Sequence, residues 1–176
     1  PSESVCYPAK LAHGHIVDLI QKGIKTIFYP DISYEKKESP MANNHYNCPI
    51  VVSYPEVIRN NVEQLREADV RLINPFFSLG HPKRLPRRLA AEFSDFGVTL
   101  LEARRAIKKG FAEHHRFKQD IREKGREGLD FLESTGQKGI VLAGRPYHLD
   151  PEINHGIPQM IISQGLAVLT EDSIAI

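Results

Sequence analysis

The sequence predicts an α/β protein: two parallel-sheet units joined by a long helix, with the second unit incomplete. Three observations carry this expectation. Short apolar or β-branched runs alternate with segments of helical period on both sides of the chain's middle. Glycine and proline punctuate the junctions, at Gly23, Pro30 and Gly136. Between the two alternating regions, one stripe with steps of three and four runs from Leu100 to Phe131.

The elements follow in order. In AKLAHGHIVDLIQKG (9–23), Leu11, Ile16, Leu19 and Ile20 recur at helical spacing, and Gly23 has the place of a helix-ending glycine. IKTIFYP (24–30) reads as a strand stopped by Pro30, and the polar, turn-rich 31–47 as a long loop. CPIVVSY (48–54) reads as a buried strand. PEVIRNNVEQLREA (55–68) reads as a helix with proline at its first position, and DVRLINPFF (69–77) as a third strand. This alternation implies a parallel sheet with right-handed crossovers.

The stripe passes through Leu100, Ala103, Ile107, Gly110, His114, Phe117, Ile121, Lys124, Gly128 and Phe131. It predicts helix over 98–135, as one helix or two in line, closed by Gly136. Gly110, Gly125 and Gly128 weaken that helix; they either admit another helix closely or mark a kink. KGIVLAG (138–144) is then a strand and RPYHLD (145–150) its loop. Asp150 and Pro151 start a helix over 152–165 that Pro158 should kink, and LAVLT (166–170) is the last strand, ending at Glu171-Asp172-Ser173. The expected organisation is two Rossmann-like units, 1–80 and 137–176, with 81–136 as a helical connector. The missing initiator methionine and the end at DSIAI suggest a piece of a longer protein.

Composition narrows the function classes. With 176 residues, 41% hydrophobic and 26% charged, the chain has enough apolar content to fold. A net charge of +1 offers no general attraction for nucleic acid. HPKRLPRR (81–88) is a local exception, either a solvated helix start or a site for an anion or acidic partner. No apolar run approaches the roughly 20 residues a membrane span requires. No signal peptide is visible, and two cysteines make no disulfide framework, so a reducing cytoplasm is expected.

Cys6 immediately precedes the first helix, where free N–H groups and the helix dipole favour an anionic sulfur. That suits a metal ligand or reactive thiol; otherwise Cys6 is a small core residue. Cys48 is either a second ligand or core packing. If 48–54 is a strand parallel to 24–30, Cys48 lies at the opposite sheet edge, roughly 23 Å away at about 3.3 Å per residue. It approaches Cys6 only if HYNC belongs to a folded-back loop. His13 and His15 are two apart and do not form a helical metal pair, whereas His45 and Tyr46 sit where a loop can aim them. Polar groups fall at the predicted strand ends: Asp31, Ser53, Tyr54, Asn74, Arg145, Tyr147 and His148. Ligand clefts form along such an edge, with Arg145 the best anion binder by its fork of donors. No phosphate loop, dinucleotide fingerprint, nucleophile elbow or four-cysteine zinc pattern occurs, so an ATP site is not expected in this segment.

Three stretches, SESVCYPAKLAHGHI, NNHYNCPIVVSYPEVIRNN and GRPYHLDPEINHGI with the later LTEDS, resemble a known family. The chain is similar to the dehydratase-like region of CoA-substrate-specific enzyme activases, relatives of 2-hydroxyacyl-CoA dehydratases. The resemblance implies a [4Fe–4S] cluster on cysteine thiolates. It implies an ATP-hydrolysing activase region elsewhere in the longer chain, which injects one electron. It also implies a 2-hydroxyacyl-CoA thioester as substrate, for which the strand-end groups Arg145, Tyr147, His148 and Ser53 are the expected binding residues. Cys6 matches the first cluster cysteine. Asp31 or Ser33 stands near where the dehydratases carry a second, and Cys48 belongs to an NCP motif outside their cysteine set. A cluster takes three or four thiolates, so the missing ligands are expected from the rest of the chain or a second subunit. The alternatives are a non-catalytic module that docks partners or binds a CoA ester, and a small-molecule binder with only the fold in common.

Overall fold

Helix α1 (Tyr7–Gln21) begins with Cys6 as its N-cap and Pro8 in the first turn, where an N–H is dispensable. It ends as predicted: Gly23 takes φ +80°, and the N–H groups of Gly23 and Ile24 donate to the carbonyls of Ile20 and Leu19. Strands β1 (Thr26–Phe28) and β2 (Asp31–Tyr34) follow, then helices α2 (Pro49–Asn61) and α3 (Glu63–Glu67). Strands β3 (Arg71–Ile73) and β4 (Phe76–Ser78) complete the ribbon. β1 pairs in parallel with β3, and β2 with β4. This computed structural model describes residues 5–37 and 39–175; Ser2–Ser4 of the opening motif lie outside the described residues.

Two prolines divide one ribbon into two strand pairs. Thr26 pairs with Arg71 and Asp31 with Phe76 at the same offset, so Pro30 and Pro75 fall opposite one another. The N–H groups of Tyr29 and Asp31 donate to the carbonyls of Ile73 and Pro75. The intervening parallel-ladder bond would run from residue 75 to the Tyr29 carbonyl, and proline has no N–H to make it. Pro30 faces away from the partner strand, the edge position that strand prolines occupy.

Ile16, Ile27, Ile58, Val62 and Leu65 form the core here, contributed by α1, β1, α2 and the start of α3. This corrects the expectation for 48–54, which is not a strand but the first half of α2. Isolated β-branched residues favour a strand, but Pro49 opens a helix, and Tyr54, Ile58, Val62 and Leu65 then share one inward face. Pro55 sits inside the helix, fully buried, contrary to its expected role as a helix start. The segment expected to be loop, 31–47, opens with β2 and returns through an antiparallel bridge between Tyr34 and Tyr46.

Helix α4 (Leu85–Glu92) and helix α5 (Leu100–Thr135) come next, and Gly136 closes α5 at φ +66°. The predicted stripe is right at Ala103, Ile107, Ile121 and Gly128 but wrong at Leu100, Gly110, His114, Lys124, Phe117 and Phe131, which are exposed, the two phenylalanines at 59% and 50%. The less exposed positions instead include Phe111, Gly125 and Leu132. A strict three–four alternation has a period of 3.5, and a straight helix at 3.6 drifts away from it by about 20° per heptad.

Strand β5 (Gly139–Leu142) pairs in parallel with β6 (Ala167–Thr170). Between them lie α6 (Pro151–Asn154), capped by Asp150 as predicted, and α7 (Ile157–Ser163). The expected kink at Pro158 is a full break two residues earlier, with positive φ at His155 and Gly156. The restart places Pro158 in a first turn, where its missing N–H is harmless. A short α8 (Glu171–Ile174) follows β6. The chain is thus mixed α/β, with short parallel strand pairs and one long helix. Residues 1–107 and 108–176 form two compact units. Among the described residues, no helix is long and apolar enough to cross a membrane.

Candidate functional site

The break in the first ribbon creates a polar spot at its centre. Side chains on one strand face alternate, so Asp31 continues the inward row of Ile27 and Tyr29 beneath α2. Asp31 is 0% exposed, and neither carboxylate oxygen has a hydrogen-bond partner. Burial, then the nearby Glu56 charge, pushes its carboxyl up to about 6. The Asn74 amide lies close enough to oppose this shift. Its N–H, however, is donated to Glu56 Oε1 at 2.6 Å, while its oxygen accepts from Arg59 at 3.2 Å. Asn74 occupies the gap between β3 and β4, so the same interruption that exposes the Tyr29 carbonyl also aims this amide.

Cys6 and Cys48 each cap the start of a helix, α1 and α2 respectively. Cys6 is half-buried, with its sulfur 3.4 Å from the Tyr54 hydroxyl. Cys48 is exposed. Burial and the Cys6 contact raise Tyr54 well above its usual range, with smaller contributions from Tyr29 and Cys48. Tyr29 is itself raised by burial and by Asp31. The groups therefore form a connected series, from Cys6 through Tyr54 and Tyr29 to Asp31, Glu56, Asn74 and Arg59. The large separation expected for Cys48 rested on the strand that is absent. As the N-cap of α2, Cys48 acts electrostatically on the residue that Cys6 touches.

The other expected residues divide. Ser53 is in α2, not at a strand end, and its hydroxyl donates to the Ile50 carbonyl. His13 bonds the Ala9 carbonyl of its own helix. His45 and Tyr46 pack around Tyr34. In the second unit, Arg145 and His148 line a cleft of about 250 Å³ at the ends of β5 and β6, with Asn154, Thr170, Glu171 and Asp172. The Arg145 N–H donates to His148 Nδ1 at 3.2 Å, which leaves the other ring nitrogen as the donor. Tyr147 packs edge-on against His148.

Glu56, Tyr29 and Arg59 were not among the expected site residues. The signal for them was the matched pair Tyr-Pro-Asp and Asn-Pro-Phe, two prolines in two strand-like runs. Among the described residues, no three of His, Cys, Asp and Glu gather as a metal-binding set. A [4Fe–4S] cluster takes three or four thiolates, so the residues of this chain do not by themselves fit one.

No curated protein and no solved structure matches the chain. One family model does, that of the CoA enzyme activase uncharacterised domain, over residues 1–174. With the match running across nearly every residue, the chain belongs to the CoA enzyme activase uncharacterised domain family.

Proposed function

We propose that this domain is a dehydratase-like module of a CoA enzyme activase, of Rossmann-like ancestry, that binds a 2-hydroxyacyl-CoA ester in the cytoplasm and handles a proton at Asp31. The observation that carries the reading is that carboxyl: fully buried, without a hydrogen-bond partner, and pushed up from its ordinary range to about 6. Buried, perturbed acids of this kind are what proton-transfer sites are made of. Glu56 keeps Asp31 from ionising early, and Tyr29 and Tyr54 connect it to Cys6. Cys6 and Cys48 are two thiolates of an iron–sulfur cluster whose other ligands come from outside this chain. The ATP-hydrolysing activase region of the longer protein is the electron source in this reading. The proton chemistry at Asp31 does not pass through the cluster. The cleft at Arg145 and His148 is the site for the acyl end of the ester, whose hydroxyl and carbonyl oxygens its donors can meet.

The shortage of ligands in this chain favours a second reading, a non-catalytic module that docks partners. Anaerobic reconstitution of the full-length protein with iron and sulfide separates the two. The expected result is broad visible absorbance that is lost in Cys6→Ser and reduced in Cys48→Ser. A full-length protein that stays colourless, or a Cys6→Ser variant that keeps its colour, removes the cluster from the reading. Carbon-13 NMR of the Asp31 carboxyl tests the proton role. Its midpoint is expected near 6, and titration at an ordinary carboxyl value ends that assignment.

A further inference from the structure

The basic run HPKRLPRR folds into more than a solvated face. Lys83, Arg84, Arg87 and Arg88 line a hollow of about 480 Å³, and Arg104, from the first turns of α5, joins them. Five cations thus converge from two segments of a chain whose net charge is only +1. Only Arg88 is neutralised, by Glu92 at 2.8 Å. Lys83, Arg84, Arg87 and Arg104 make no ion pair among the described residues, whereas other charged groups are paired along their own helices, such as Asp18 with Lys22 and Glu113 with Arg116. Unpaired like charges around one concavity repel each other and attract a multivalent anion. Guanidinium forks match phosphate oxygens.

A second hollow of about 210 Å³ adjoins the first and shares Arg84 and Arg88 with it. Its wall has a different character: the Phe76 ring is 58% exposed, beside Phe77 and His81. His81 Nδ1 is tied to the Ser78 hydroxyl at 3.1 Å, which leaves the far side of its ring free. One end is therefore cationic and the other offers a flat aromatic face. That pairing suits a ligand with phosphates at one end and a base at the other. A nucleic-acid tract would instead require a long basic path with several stacking rings.

We propose that these adjoining hollows bind a purine nucleotide carrying two or more phosphates, with the phosphates on Arg84, Arg87 and Arg104 and the base on Phe76. That the nucleotide is the 3′-phosphorylated ADP end of a CoA ester rests on the functional reading above; the site itself does not.

Calorimetric titration of the full chain with adenosine 3′,5′-bisphosphate, ADP, CoA, inorganic pyrophosphate and a single-stranded oligonucleotide tests the site. The expected result is salt-sensitive binding of CoA and the bisphosphate. It should weaken roughly tenfold or more in Arg87→Ala and in Arg104→Ala. Phe76→Ala should weaken the nucleotides and leave pyrophosphate unchanged. Both arginines are exposed, so the fold does not depend on them. ADP binding as tightly as CoA keeps the site and overturns the CoA source. No binding of any nucleotide, binding unchanged in both arginine variants, or preference for the oligonucleotide overturns the site. Asp31→Asn and Cys6→Ser should bind as the unaltered protein does, so failure here is distinct from failure of the proton or cluster assignments.

Discussion

Asp31→Asn is expected to stabilise the protein at neutral pH by about 3 kcal/mol and to flatten its pH dependence. The carboxyl moves from an ordinary value of 3.8 to about 6 on folding. Below about pH 4 it is protonated in both the folded and unfolded states, and the fold is not penalised. As pH rises from 3.8 toward 6, the unfolded chain releases its proton while the folded one retains it, so stability falls. Above 6 both states are ionised and the full penalty stands, at about 1.4 kcal/mol for each pH unit between the two values. Asparagine has no proton to lose. Denaturant unfolding across pH 4 to 8 reads the difference directly, and near neutral pH the midpoint temperature should rise by roughly 6–12 °C. Curves for the two proteins that run parallel would mean that Asp31 is not the group responsible. A carboxyl kept unpartnered at this cost in stability has the profile of a functional group and not of a structural one.

That profile was only half legible in the chain. Asp31 was identifiable as a polar group after a strand, but its burial was not, because nothing local says that α2 lies over it. The obstacle was CPIVVSY, whose β-branched residues read as a strand, with the Pro55 that follows it read as a helix start. The helix that forms depends on tertiary packing of Ile58, Val62 and Leu65 against Ile16 and Ile27, and it keeps Pro55 inside it despite the lost N–H. Once 48–54 is helical, Ser53 leaves the edge where ligands gather and Cys48 becomes a second helix cap. By contrast, α1 with its terminal glycine, the Asp150 cap, β5 and β6 were all readable, because each is set by residues within a few positions. The distinction is one of range: caps and turns are written locally, whereas the cover over a buried acid comes from a helix 18 to 30 positions away.

The long helix separates two kinds of glycine that its sequence leaves alike. A Cβ at Gly125 would fall onto the Ser173 carbonyl oxygen, and one at Gly128 would lie 2.7 Å from a Leu169 methyl, so in these places glycine admits β6 and α8 closely. A Cβ at Gly110 meets nothing within 4 Å. Alanine should therefore have opposite effects at Gly110 and Gly125. Gly110→Ala removes a flexible residue from an exposed helix and should gain about 0.5–1 kcal/mol. Gly125→Ala gains the same helix preference but drives a methyl into backbone that has no rotamer to yield. Over-packing of this kind costs up to about 3 kcal/mol, for a net loss of about 2. Hydrogen exchange locates the effect: amides of Leu169, Thr170 and Ser173 should lose protection in Gly125→Ala and keep it in Gly110→Ala. Equal stabilisation of both variants would mean that α8 does not rest on the helix at Gly125, and the glycines would then be points of flexure, not of contact.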